Sequence, residues 1–286
     1  MVDVARLLDD LAAESAALDA IVASLDEAGW ATATPAAGWT VAHQIAHLTW
    51  TDEVSLESVT DPDAFAATLA SAAADPSGFV ERAAERVLAA ANPPDALLSR
   101  WRGGRTALAE ALAVRAGSGG TDARGKLPWF GTALSPASMV TARLMETWAH
   151  GVDVRDALGV PTATTPRLRH IAYLGFRTLA HGFVAHGRRP PEQPVYLALT
   201  GTGGEPWTFG DPDAADRVEG PALDFCLLVT QRRHRDDLAL VATGTVADEW
   251  LDVAQCFAGP PGAGREPTPG PSGAGRKPSE PEEARA

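Results

Sequence analysis

Gly38-Trp39-Thr40-Val41-Ala42-His43-Gln44-Ile45-Ala46-His47-Leu48 opens a helix that sets the architecture of the first half of the chain. The preceding Pro35-Ala36-Ala37-Gly38-Trp39 has turn composition, and Thr40 is an N-capping type of residue. Ile45, Leu48 and Thr49 fall on one side, which predicts a helix from Thr40 to about Ser58, before the Asp61-Pro62 break. The same reading places His43 and His47 four residues apart, on one helical face.

Working outward, Val4, Leu7, Leu8, Leu11, Ala12, Leu18, Ile21, Val22 and Leu25 recur at three- and four-residue spacing and end at Gly29. Phe79 to Ala91 and Pro94 to Arg115 carry two more helical patterns, separated by Asn92-Pro93. Gly117 to Gly125 has the composition of a flexible loop, and Leu127-Pro128-Trp129-Phe130-Gly131 reads as an apolar connector. Ser135-Pro136 opens a further helix that reaches Leu158-Gly159, with proline in the first turn, where its missing N–H costs nothing. The simplest architecture for residues 1–160 is a four-helix bundle with extra short helices.

From 161 to about 258 the pattern changes. Pro166 to about Ala185 reads as a helix weakened by Gly175 and Gly182. Val195–Thr200, Pro206–Phe209 and Arg217–Gly220 read as strands, with helices at Pro221–Arg232 and Glu249–Phe257. The expectation is a smaller α+β domain on a short antiparallel sheet, making the chain α+β overall. From Gly259 to Ala286, 13 of 28 residues are Gly or Pro and none is Val, Ile, Leu or aromatic. Such a segment buries too little apolar surface to offset chain entropy and is expected to be disordered.

Composition narrows the function. A chain of 286 residues that is 45% hydrophobic holds one large domain or two ordinary ones with a sizeable core. The net charge of −13 argues against a binder of nucleic-acid backbones. No run of about 18 apolar residues suggests a membrane span. The N-terminus carries acids where a secretion signal carries Lys or Arg. Cys226 and Cys256 form neither a disulfide framework nor a four-thiolate zinc site. A cytoplasmic protein is expected.

Glu146-Thr147-Trp148-Ala149-His150 places a carboxylate and an imidazole on one helical face, as His43 to His47 does with two imidazoles. Facing helices of a bundle bring such pairs together, and a His–carboxylate–His set leaves open positions on a divalent ion. Each pair also has an ordinary structural reading. Glu/His pairs at this spacing are common on helices, His43 stands at the capping-box position, and His47 between Ile45 and Leu48 suits a satisfied core histidine.

These residues resemble a known family. Gly38 through Leu48 is similar to the Trp-Thr…Asp…Ala-His-Leu signature of the mycothiol-dependent maleylpyruvate isomerase N-terminal domain, one of the DinB-like four-helix metal proteins. Glu146 to His150, followed by Gly151-Val152-Asp153-Val154, matches the second half of that signature. The resemblance covers roughly residues 1–160. Pro221–Thr230 and Trp250–Gly259 resemble the accessory domain of a two-domain, uncharacterised metal-binding subfamily. It implies a divalent metal, zinc foremost, held by His47, Glu146 and His150, with mycothiol as thiol cosubstrate. The implied activity is isomerisation or S-transfer on an electrophilic small molecule. His43 stands where the family usually has Asp, which implies a neighbour of the metal or substrate, with fourth-ligand status the alternative.

Other residues carry weaker signals. Arg143, three residues before Glu146, is a candidate anchor for a substrate carboxylate, or a structural ion-pair partner. Asp153 suits a hydrogen-bond acceptor for a ligand imidazole, or a helix-surface acid. The run Arg232-Arg233-His234-Arg235 is either a solvated helix end or an anion site facing the interdomain cleft. Cys226 and Cys256 have apolar neighbours and are expected to pack in the core. His170, His181 and His186 lack an evident ligand partner. Two other functions fit the same pattern: a hydrolase activating water at the open position, and a non-catalytic metal-binding or stress-response protein.

Overall fold

The computed structural model describes residues 3–75, 78–91, 93–117, 125–262 and 264–268. Asp3 opens α1 (Val4–Val22) by accepting from the amides of Ala5 and Arg6. A short α2 (Glu27–Trp30) leads to α3 (Val41–Thr60), which Thr40 and His43 cap together. Asp61 and Pro62 end α3 and also start α4 (Pro62–Ala74), a helix the sequence reading passed over. Asp61 accepts from the amide of Ala64, and Pro62 occupies the first turn. Next come α5 (Phe79–Ala90), α6 (Pro94–Gly117) and α7 (Pro136–Leu158). Most of the expected 117–125 loop lies outside the described residues.

Helices α1, α3, α6 and α7 form the bundle: α3 packs on α6 and α7, and α1 lies along α7. The expected order, a helical bundle followed by a smaller α+β domain, is the order found. No helix among the described residues is long and apolar enough to cross a membrane.

The stretch expected to be one helix after residue 166 is two, α8 (Leu168–Arg177) and α9 (Leu179–Ala185), parted at Thr178. Gly175 serves helix packing, because a Cβ there would meet Val229 Cγ1 at 2.9 Å and Phe225 Cε1 at 3.0 Å. Strands β1 (Val195–Thr200), β2 (Pro206–Phe209) and β3 (Asp216–Pro221) precede α10 (Ala222–Val229). A fourth strand, β4 (Val241–Thr243), was not anticipated, and α11 (Thr245–Val253) starts and ends earlier than expected.

The sheet order is β2-β1-β3-β4, and the expectation of a wholly antiparallel sheet is corrected: β1 and β3 are parallel. The chain reverses after β1 into β2, reverses again, and lays β3 on the other edge of β1. Two reversals restore the original direction. Alternation along β1 buries Val195, Leu197 and Leu199 on one face.

Two apolar clusters flank α7. One joins Leu7, Leu11, Leu144, Trp148 and Val152 to Ile171, Phe225 and Trp250 of the second domain. The other gathers Leu18, Val22, Ile45, Leu48, Trp101 and Val154 inside the bundle. Full burial of each such side chain contributes roughly 1.5–3 kcal/mol, so α7 is held rigidly between both cores.

The expectation of disorder from Gly259 onward does not describe the start of that segment. Gln255 Nε2 donates to Gly259 O at 3.1 Å, Arg265 reaches Asp153 and Pro35, and the Thr268 amide donates to Asp237 at 2.9 Å. The compositional argument weighs apolar burial alone and misses these polar anchors. Residues 263 and 269–286 lie outside the described residues.

Candidate metal centre

The loop before α3 is a tight turn closed by a bridge between Ala33 and Thr40. The Thr34 amide and hydroxyl donate to Trp39 O at 2.8 and 3.0 Å, and the Trp39 amide donates to Ala36 O at 3.0 Å. Gly38, at φ +78°, takes the left-handed turn that brings Trp39 round. The indole ends 5.5 Å from the His47 ring and stacked 6.2 Å from the His150 ring. Trp50, one turn beyond His47, lies 5.9 Å from its ring and edge-on to Phe79 at 5.3 Å.

Packing of α3 on α7 brings His47 to Glu146 and His150. His47 Nε2 lies 3.5 Å and His150 Nε2 3.3 Å from Glu146 Oε2, with the two imidazole centroids 4.4 Å apart. Each of the three residues offers one ligand atom, and these atoms all lie within 4.8 Å of one another. No other trio of His, Cys, Asp or Glu among the described residues gathers in this way.

Gln44, a residue the sequence reading did not single out, fixes how His150 is protonated. The Thr34 hydroxyl proton is spent on Trp39 O, so Thr34 Oγ1 accepts from Gln44 Nε2 at 2.9 Å. That leaves Gln44 Oε1 to accept from His150 Nδ1 at 2.5 Å. His150 Nε2 then carries a lone pair aimed at a carboxylate. Burial and the neighbouring His47 push the His150 pKa down to about 4, so the ring is neutral at pH 7. Burial opposes ionisation of Glu146, but the imidazoles of His150 and His47 beside it and the nearby Arg143 charge hold its carboxyl well below the usual carboxylate range. A neutral imidazole acceptor facing a carboxylate acceptor is an arrangement that a cation relieves, so the donor set fits a divalent metal. His47 is held less completely, because its buried Nδ1 has no hydrogen-bond partner among the described residues.

His43 lies at the helix cap. Its Nδ1 accepts from the Thr40 amide at 3.2 Å and lies 2.8 Å from the Thr40 hydroxyl, while its ring sits 6.2 Å from Trp39. With Nδ1 engaged, a neutral His43 carries its proton on Nε2.

Of the two readings of Arg143, substrate anchor or structural ion-pair partner, its contacts are those of the second. It is 2% exposed, donates to Asp52 Oδ1 at 2.9 Å and to Thr51 Oγ1 at 2.6 Å, and so forms a buried ion pair between α7 and α3. The Arg232–Arg235 run is also committed to acids. Arg233 forks onto Asp156 at 2.7 and 2.8 Å, and Arg235 pairs with Asp248 and Asp252. Arg232 is the member whose charge reaches His150. It donates to Ala149 O at 3.2 Å and pairs with Asp153 at 3.1 Å, which fastens the second domain to α7.

Cys226 and Cys256 are buried free thiols whose pKa values burial raises, so neither is a ready nucleophile. His170 pairs with Asp10 at 2.8 Å, His181 with Phe257 O at 3.1 Å and His186 with Gly182 O at 2.9 Å.

The family model described as "Mycothiol maleylpyruvate isomerase N-terminal domain" matches residues 11–155, and that described as "Wyosine base formation" matches residues 194–243. Two Mycobacterium tuberculosis proteins, "Uncharacterized protein MT0041" of strain CDC 1551 and "Uncharacterized protein Rv0036c" of strain H37Rv, are each 52% identical over 266 residues, spanning 93% of this chain and 100% of theirs. Crystal structures of the mycothiol-dependent maleylpyruvate isomerase and of a mutant share the fold at 14% and 15% identity. Both give a TM-score of 0.54 over 84% of this chain and 93% of theirs.

Proposed function

Because the chain belongs to the mycothiol maleylpyruvate isomerase N-terminal domain family, we propose that it is a divalent-metal enzyme activating a small thiol, mycothiol, for isomerisation or S-transfer on an electrophilic small molecule. The observation that carries this reading is the convergence of His47, Glu146 and His150, with His150 turned toward the other two by Gln44. Two imidazole nitrogens and one carboxylate oxygen suit zinc with an open coordination position. A cation bound there supplies the positive charge that stabilises a thiolate at neutral pH.

The chain's own groups do the rest. Trp39 and Trp50 wall the cluster with aromatic surface, which thins the water around it and strengthens electrostatic interactions inside. With both cysteines buried, the nucleophile comes from outside the chain, in keeping with a thiol cosubstrate. Two cationic groups reach the cluster, Arg143 at Glu146 and Arg232 at His150. Both are paired with acids, Asp52 and Asp153, so they temper rather than reverse the −13 charge that repels anionic substrates at long range.

Elemental analysis of the purified protein tests the ligand set. The reading expects one divalent ion per chain, sharply reduced in His47→Ala, Glu146→Ala and His150→Ala. Full occupancy in His47→Ala removes the assignment.

A further inference from the structure

The Gly/Pro-rich segment after the second domain touches the bundle through Arg265. Its anchors are Gln255 on Gly259 and Asp237 on Thr268, and between them Arg265 makes two contacts with different elements. Arg265 Nη1 donates to Pro35 O at 2.6 Å, and Arg265 Nη2 donates to Asp153 Oδ1 at 2.5 Å. Pro35 belongs to the turn that carries Trp39, and Asp153 lies on α7 one turn beyond His150. Asp153 is 1% exposed and is shared with Arg232, so this is no solvated surface pair. Charge-assisted hydrogen bonds to a buried carboxylate are roughly twice as strong as neutral ones.

We propose that Arg265 is a positioning residue of the metal centre, clamping the Trp39 turn to α7. The turn is rigid in itself, because Thr34, Ala36 and Trp39 bond to one another. A restraint applied at Pro35 O therefore passes to both ends of the turn. At one end Trp39 stacks on the His150 ring, and at the other Thr34 accepts from Gln44, which holds His150 Nδ1. Arg265 thus acts on His150 from both sides without touching it. A lysine cannot reproduce the fork, since its single ammonium has no fixed pair of donors for a carbonyl and a carboxylate on separate elements. The meaning of this clamp for catalysis rests on the function proposed above, whereas the clamp itself rests on geometry alone.

Amide hydrogen exchange on the full-length, metal-stripped protein tests it. Arg265→Ala should speed exchange in the peptide spanning residues 32–41 by about tenfold, the effect of losing one charge-assisted hydrogen bond. Exchange in α10 and α11 should stay unchanged, and Arg265→Lys should restore part of the protection. In cobalt-loaded protein the visible spectrum of Arg265→Ala should differ from that of the parent at equal metal content. Unchanged protection of residues 32–41 overturns the proposal, as does an equal rise across α10 and α11, which reports general loosening. Arg265→Met covers the case of a poorly folding alanine variant. The exchange measurement uses no metal or thiol, so a wrong metal or thiol assignment leaves its outcome standing.

Discussion

Gln44 and His150, from α3 and α7, share a hydrogen bond of 2.5 Å that sets the tautomer of a candidate metal ligand. Gln44 is itself fully buried and oriented by Thr34, so the acceptor cannot rotate away without losing a second bond. Gln44→Leu keeps much of the volume and removes the acceptor. Metal affinity should fall by about 10–100-fold, the usual effect of losing a partner of a ligand imidazole. Competition against a chelator of known affinity measures it, and an unchanged affinity refutes the role given to Gln44.

Arg143→Ala leaves Asp52 buried and unpaired. Burial already pushes the Asp52 pKa up against the pull of Arg143 and Arg105. The expected cost is about 3–5 kcal/mol in urea unfolding. Arg143→Met combined with Asp52→Leu should recover most of it, because no charge is then left behind. A stable Arg143→Ala protein with weakened substrate binding would return Arg143 to the anchor role.

His43→Asp should keep its metal, since the triad is complete without it and a carboxylate also accepts from the Thr40 amide. His43→Ala should lose roughly 1 kcal/mol of stability through the cap. Metal loss in His43→Asp, seen by elemental analysis, would make His43 a ligand.

In metal-stripped protein, stability should fall with acidification through the range set by His150. The ring titrates at about 4 when folded against an ordinary 6.5, so between those values the unfolded chain binds more protons. Glu146, with its pKa lowered by folding, acts in the same sense: its stabilisation is present above the ordinary carboxylate range and is lost below it. Urea unfolding between pH 7 and pH 4.5 should show a loss of about 3 kcal/mol at most, flattened in His150→Gln. Constant stability across that range contradicts the buried, neutral His150.

Much of this was legible in the sequence, for reasons particular residues make plain. The i,i+4 pairs His43/His47 and Glu146/His150 announce helical faces, and the motif around Trp39 through Leu48 singles out His47 from His43. Pairings between distant segments were not legible. Arg143 sits on the side of α7 expected from its spacing, but only the packing of α3 reveals Asp52 waiting there. Gln44 reads as an ordinary helix residue until Thr34 and His150 take up its two ends. Arg265 lies in a segment whose composition argues for disorder, and a single guanidinium leaves no compositional trace. The parallel β1–β3 pair escaped notice because strand spacing does not tell on which edge a third strand lands.

The central claim is that His47, Glu146 and His150 hold a metal ion that takes a small thiol as its ligand. Cobalt-substituted protein titrated with mycothiol tests this most directly. The account predicts a sulfur-to-cobalt charge-transfer band in the near ultraviolet that saturates with thiol and is lost in His150→Ala. A fully cobalt-loaded protein with no thiol-dependent band at saturating mycothiol would contradict it and move the chemistry to water activation or to binding without catalysis.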